Sequence, residues 1–326
     1  MKSVIPRKKP LICIHSDCPS HGSSPGQDPA CGARIRKRGS FRRKGSARRI
    51  ARFHCLRCDR SFSQATFLPE YRQQKRELNE ALTRLLVSGV SGRRLAKLMG
   101  VSRDLVARRL VFLGEQARLA HEASLSAGAS LRANGVSERN PEEITLQFDE
   151  METLEHTKLK PLSIGLVVEE NSRQILGISV ASMPAGGLLA ELSRKKYGPR
   201  PDHRAAQASR LLGSLKPWVG SRKLTFRTDE KTVYPSWIRR HFPECQHLTH
   251  KGRRGCVVGQ GELKKIERDP LFSLNHTAAM FRANVNRLFR RTWCTTKRPE
   301  RLLAHLYLYL RYHNTELIRA SQLSAA

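Results

Sequence analysis

The chain has 326 residues, room for two or three domains of common size, and 60 Lys plus Arg against 28 Asp plus Glu give it a formal charge of +32. A surplus of that size suits a surface held against a polyanion. No apolar run reaches the length of a membrane-spanning helix, and the basic N-terminus lacks an apolar stretch of signal-peptide length. The expectation is a protein that stays in a reducing compartment, where eight cysteines serve as metal ligands or free thiols and not as a disulfide framework.

Residues 1–66 hold five of the eight cysteines among frequent Gly, Ser and Pro, which predicts short strands and loops. Cys13 and Cys18 form one pair, and Cys55 and Cys58 form a C-x-x-C in FHCLRCDRSFS. Two such pairs on two turns can present four thiolates tetrahedrally to a structural zinc, leaving no open position for water. Cys31, His15, His21 and His54 are alternative ligands. Zinc would supply folding energy that a small basic segment lacks in apolar surface, with Ile50, Phe53 and Phe62 packed beneath the second pair. From Arg34 to Arg52, inside the loop between the two pairs, stand ten Lys/Arg in nineteen residues and no acid. Such a run is either a solvated face or a set of DNA phosphate contacts, with Arg42, Arg43 and Lys44 as its centre.

Residues 70–120 read as helices, with Leu78, Leu82, Leu85 and Leu86 near a 3.6 period. The segment SGVSGRRLAKLMGVSRDLVARRLVFL predicts a helix capped by Ser91 and stopped at Gly100. A second helix is capped by Ser102 and favoured by Asp104 in its first turn. Leu95, Leu98, Val101, Val106 and Leu110 are placed to pack between the two, leaving Arg103, Arg108 and Arg109 exposed. This is a helix-turn-helix pattern, or else an ordinary helical hairpin.

Residues 121–143 are small and polar and read as a linker. Residues 144–314 read as an α/β domain, followed by a tail over 315–326. ITLQFDE, LSIGLVVEE and RQILGISVA alternate like strands and suggest a meander; after a basic insertion, KLTFRTDE is a fourth strand. Helices are expected at TVYPSWIRRHF, LNHTAAMFRANVNRLFRR and PERLLAHLYLYLRYHN. The pattern places Asp149 and Asp229 each at the end of a hydrophobic strand. Two carboxylates at strand ends can meet on one sheet edge and grip a pair of divalent cations for phosphoryl transfer, with Mg²⁺ the ion best matched to hard oxygen ligands.

The order zinc ribbon, helix-turn-helix, Asp on a first strand, Asp on a later strand and basic terminal helix resembles bacterial insertion-sequence transposases of the DDE class. The resemblance covers roughly residues 10–314. It is most specific at FHCLRCDRSFS, QFDE, RTDEKTVYP and NHTAAMFRANVNRLFRRTWCTTKRPERL. It implies an RNase H-like core of mixed sheet and flanking helices, and metal-dependent DNA cleavage and strand transfer. It also implies double-stranded DNA as the partner (element ends and target), a homo-oligomer on DNA, and residence in the bacterial cytoplasm at the nucleoid. It sets Asn275 where the third carboxylate of the family stands, Arg282 at the basic position seven residues on, and Arg290 and Arg291 in the basic stretch that follows. Glu267, 38 residues after Asp229, is the other candidate for the third ligand. Its neighbour pair Asp269-Pro270 disfavours a continuing helix. An Asn carbonyl can coordinate Mg²⁺ but brings no negative charge. The rival reading is therefore a non-catalytic DNA-binding regulator derived from a transposase.

Overall fold

A computed structural model describes residues 12–21, 35–42, 49–133, 142–251, 269–289 and 294–318. Arg43, Lys44, Glu267, Arg290, Arg291 and Cys31, named above, lie outside the described residues. The chain divides into two units, residues 1–80 and residues 81–326.

The first unit is an antiparallel sheet of β1 (Ile35–Arg42), β2 (Arg49–Cys55) and β3 (Arg60–Ser63), in that spatial order. Gly39, with φ of +81°, sits at a register shift in β1, where an extra residue must be absorbed. Phe53 and Phe62 are cross-strand partners and bury against Ile35 and the cysteines. Ile50, expected beside them, packs instead with Ala65 and Leu68. It is three residues from Phe53, and side chains an odd number apart on a strand point to opposite faces.

The second unit opens with α1 (Leu78–Leu86), which begins just before the division, then α2 (Gly92–Leu98) and α3 (Arg103–Ala133). The local signals form as expected. Ser91 Oγ accepts the Arg94 amide at 3.3 Å, Ser102 Oγ accepts the Leu105 amide at 3.1 Å, and Gly100 takes φ of +60° between them. Leu95, Val106 and Leu110 are buried.

Three expectations fail here. Leu98 is 64% exposed. The covered arc of α2 runs through Leu95, Ala96 and the half-buried Met99, and Leu98 lies about 100° away from its centre. Arg109 is only 6% exposed, because it borders the stripe Val106, Leu110, Gly114, Ala117 and His121 that α3 buries along its length. The third is the linker. Residues 121–133 continue α3, and His121 Nε2 donates to the Leu176 carbonyl at 3.0 Å while Leu125 packs into the core. Ala- and Leu-containing sequence with an anchored face sustains a helix that composition alone assigns to a loop.

The rest is mixed α/β. β4 (Glu143–Glu155), β5 (Thr157–Glu169) and β6 (Ile175–Ser182) form the expected antiparallel meander. α4 (Ala190–Tyr197), α5 (Arg204–Ser214) and α6 (Lys216–Val219) carry the chain to β7 (Lys223–Asp229), which lies parallel to β4. α7 (Tyr234–Arg239) then leads to β8 (Gln246–His250), parallel to β7 and not anticipated from sequence. The sheet order is β6-β5-β4-β7-β8. α8 (Phe272–Asn284) and α9 (Pro299–Tyr312) complete the unit. Ile144, Leu146 and Phe148 of β4 and Leu224 and Phe226 of β7 point to one sheet face, where they bury against Leu211, Leu212, Val219, Tyr234 and Ile238 of α5, α6 and α7. The helix expected over residues 274–291 ends at Asn284. Val285 is extended and residues 286–288 form a 3-10 turn, so Arg287 leaves the face that carries Arg282. Among the described residues no helix is long and apolar enough to cross a membrane.

Candidate functional site

In the first unit the four predicted cysteines converge. The Sγ atoms of Cys13, Cys18, Cys55 and Cys58 lie within 4.8 Å of one another. Two of the separations are 3.7 Å (Cys13–Cys58) and 3.8 Å (Cys18–Cys55). Four sulfurs set tetrahedrally about 2.3 Å from a zinc ion are about 3.8 Å apart, so the spacing is compatible with a structural zinc. The knuckle is built locally: the Cys13 amide donates to the Ser20 carbonyl at 3.0 Å and the Ser20 amide to Cys18 Sγ at 3.4 Å. Burial pushes the Cys13 thiol up to about 12 and the Cys18 thiol up as well. At Cys58 burial also acts upward, but the Arg60 backbone N–H and guanidinium prevail and bring it down to about 7. His21 and His54, considered as substitute ligands, are engaged elsewhere. His21 Nδ1 bonds the Cys13 carbonyl, and His54 faces Asp59 and Ser61.

In the second unit Asp229 ends β7 as expected, but Asp149 does not end its strand. β4 runs six residues further and pairs with β5 beyond it, Asp149 standing opposite Leu166. A strand flanked by a long hairpin partner continues past the point where its hydrophobic run stops. The two aspartates are nevertheless brought together. β4 and β7 pair in parallel up to Gln147–Arg227, and two residues further along each strand stand Asp149 and Asp229. Equal offsets along neighbouring parallel strands put both side chains on one face, about 5 Å apart at the backbone.

Tyr234, the first residue of α7 and 0% exposed, donates its hydroxyl to Asp149 Oδ1 at 2.9 Å. The Glu150 amide donates to the same oxygen at 2.6 Å. Burial raises the Asp149 carboxyl above its ordinary range, and the negative charge of Asp229 adds to the rise; the bonds from Glu150 and Tyr234 and the charge of Lys231 oppose it. Burial and the Asp149 charge likewise hold the Tyr234 hydroxyl protonated. Glu150 points the other way along β4. Its side chain is 4% exposed and takes Ser163 Oγ at 2.6 Å and Lys231 Nζ at 2.6 Å. Lys231 and Tyr234 were not singled out from sequence as parts of a site. Their signal was nearness to Asp229, two and five residues after it.

Asn275 is exposed on α8, and its Nδ2 donates to Asp269 Oδ2 at 2.9 Å. α8 is tied to β4 by Gln147, whose amide donates to the Pro270 carbonyl at 2.9 Å and whose Oε1 accepts the Leu274 amide at 2.8 Å. Gln147 shares the sheet face of Asp149, two residues on, so the helix that bears Asn275 is anchored on the aspartates' side. Arg282, seven residues after Asn275, is exposed on the same helix. Among the described residues the cysteines are the one group of three or more Cys, His, Asp or Glu gathered at metal-ligand distances. Lys158 and Lys160 belong to the far end of the β4–β5 hairpin. That is about six residues from Asp149, or roughly 20 Å.

Of the cations expected on DNA, Arg42 at the end of β1 and Arg103 and Arg108 on α3 are exposed, whereas Arg109 is buried. No protein-family model matches this chain, and comparison with curated proteins finds no match.

Proposed function

We propose that this chain is a DNA transposase of the insertion-sequence type, with an RNase H-like core that cleaves and rejoins DNA at Asp149 and Asp229. The observation that carries the reading is the placement of these two aspartates at equal offsets on adjacent parallel strands. The five-stranded mixed sheet and its flanking helices support it.

The donor set fits a divalent cation. Two neighbouring carboxylates, one of them raised by burial and by the other's charge, are costly together and are relieved by a shared positive ion. Asp149 and Asp229 would hold Mg²⁺, with Asn275 offering a neutral carbonyl from α8. When bound, Mg²⁺ supplies charge neutralisation on the phosphate in an in-line displacement, for hydrolysis and for strand transfer alike. Tyr234 fixes one oxygen of Asp149 and leaves the other for the ion. Lys231 neutralises Glu150, so that this buried acid does not add a third charge to the pair. In the other unit, Cys13, Cys18, Cys55 and Cys58 hold a structural Zn²⁺ that fastens the basic hairpin β1–β2. Arg42, Arg103, Arg108 and Arg282 contact double-stranded DNA, and two copies act together on the element ends.

The second reading, a DNA-binding regulator without catalysis, draws on Asn275: it lacks charge, and its amide is taken by Asp269. One experiment separates the two. Purified chain is incubated with labelled DNA from the gene's flanks and Mg²⁺ or Mn²⁺. Metal-dependent nicking lost in Asp149→Ala and in Asp229→Ala supports the enzyme; retained binding without nicking in any metal supports the regulator.

A further inference from the structure

Within residues 81–326, α2, the first turns of α3, Asn286, Arg287 and residues from 294–305 wall a cleft of about 1140 Å³. Arg93, Arg94, Lys97 and Arg103 line one side, Arg287 and Arg301 the other, and among the described residues Asp104 is the single acid in the lining. Buried bonds hold the two walls at a fixed separation. Asn286 Nδ2 donates to the Gly89 carbonyl at 3.1 Å, and His305 Nε2 to the Leu86 carbonyl at 2.9 Å.

Arg287 and Arg301 stand together in the lining of this cleft. Several other half-buried arginines of this chain sit against carboxylates, namely Arg118 on Glu115 and Glu122, Arg200 on Glu155, Arg204 on Asp202 and Arg227 on Glu170, while Arg222 donates to the Val219 and Trp218 carbonyls. Among the described residues no carboxylate makes an ion pair with Arg287, and the charge it feels is that of Arg301. Burial, and after it the charge of Arg301, lowers its guanidinium to about 10. Two partly desolvated cations facing one another are costly, and the cost disappears when an anion lies between them.

We propose that this cleft binds the sugar–phosphate backbone of DNA, with Arg287 and Arg301 holding one phosphodiester between them and the cations of α2 and α3 continuing the track. The inference rests on the reading that the chain binds DNA and is independent of catalysis. DNA, and not a free anion, is the occupant because six cations are spread around an open cleft in a chain of formal charge +32.

The test uses the full chain, a short fluorescent duplex and a series of salt concentrations, with Arg287→Gln and Arg301→Gln beside the wild type. Each variant is expected to weaken binding about tenfold at low salt and to flatten the slope of log affinity against log salt by about 0.9, one phosphate contact. The melting temperature of the free protein should hold or rise, since each change removes one of two facing charges. Unchanged affinity and slope overturn the proposal. So does loss of binding accompanied by loss of thermal stability in both variants, which would make the arginines structural. Inorganic phosphate that stabilises the wild type as much as the duplex does, at equal phosphate concentration, assigns the cleft to the free anion and also overturns it. A wild type that binds no DNA sinks the proposed function itself.

Discussion

Tyr234 Oη and Asp149 Oδ1 are 2.9 Å apart, a bond that joins the residue opening α7 to the middle of β4 across 85 positions of sequence. The hydroxyl is a permanent donor, because burial and the Asp149 charge both keep its proton in place. Phe148, one residue before Asp149, supports the same ring edge-on with centroids 4.9 Å apart. Tyr234→Phe should therefore keep the packing and lose the bond, at a cost of about 1.5–3 kcal/mol for a hydrogen bond to a charged group. The Mg²⁺ concentration that gives half-maximal DNA cleavage should rise, because Asp149 loses a bond that favours its charged form. An unchanged metal requirement would show that the tyrosine serves packing alone.

Asp149→Asn tests the aspartate pair without an activity assay. The Asp149 carboxyl is raised in the folded chain, so the folded state binds its proton more tightly than the unfolded state does. Its contribution to stability is present in acid and is lost as pH rises through the raised value. At pH 8 without metal, Asp149→Asn should melt at a higher temperature than the wild type. Mg²⁺ should raise the wild-type melting temperature and leave that of the variant unmoved. Calorimetry at pH 8 with and without Mg²⁺ gives both answers.

Removing the metal from the cysteine centre should unfold the first unit. The buried apolar residues of that unit are few beyond Ile35, Ile50, Phe53 and Phe62, too few to hold a basic hairpin alone. Purified protein should carry about one zinc per chain, and a strong chelator should abolish the β-hairpin signal of the isolated chain while residues 81–326 stay folded. Cys58→Ser should lower zinc content in elemental analysis. Retention of full structure after chelation would show that the thiols are free.

Gly114 on α3 is a close-approach position. A Cβ there would stand 2.3 Å from the Ala304 carbonyl oxygen and 2.6 Å from its Cα on α9, backbone atoms that cannot yield cheaply. Gly114→Ala gains about 1 kcal/mol of helix propensity, but the clash should outweigh it and leave a net destabilisation of about 1–3 kcal/mol by denaturant unfolding. Gly177→Ala is the comparison. Its Cβ meets the mobile end of Leu211 at 2.4 Å, so the loss should be smaller.

Acid should weaken the second unit before its carboxylates titrate. His305 is 2% exposed, and burial, with the charge of Arg287, lowers it to about 4 against the Leu86 hydrogen bond. His121 and His313 are lowered mainly by burial too. Between about pH 6.5 and 4 the unfolded chain binds more protons at these residues than the folded chain does, so stability falls as pH falls through that window. A shift of this size at His305 alone corresponds to about 3 kcal/mol at its limit. Melting curves from pH 7 to 4.5 should show the decline, and His305→Gln should flatten it.

Arg103, Arg108 and Arg109 separate surface from core on one helix. Arg103→Gln and Arg108→Gln should weaken DNA binding at an unchanged melting temperature, while Arg109→Gln should lower the melting temperature, since only Arg109 is covered.

Much of this was legible in the amino-acid sequence, because its signals act over a few residues. The Ser91 and Ser102 caps, the Gly100 stop, the β-branched runs of β5 and β6, and the turn that sets Cys55 beside Cys58 need only neighbouring chain to form. Tertiary structure decided the rest. The register that sets Asp149 level with Asp229 spans 80 residues, and strand pairing at that distance is chosen by what the whole sheet buries. The run of α3 through residues 121–133, the burial of Arg109 and the exposure of Leu98 follow from which side of each helix another element covers. Periodicity says that a helix has a covered face, but the partner's position fixes where that face begins and ends.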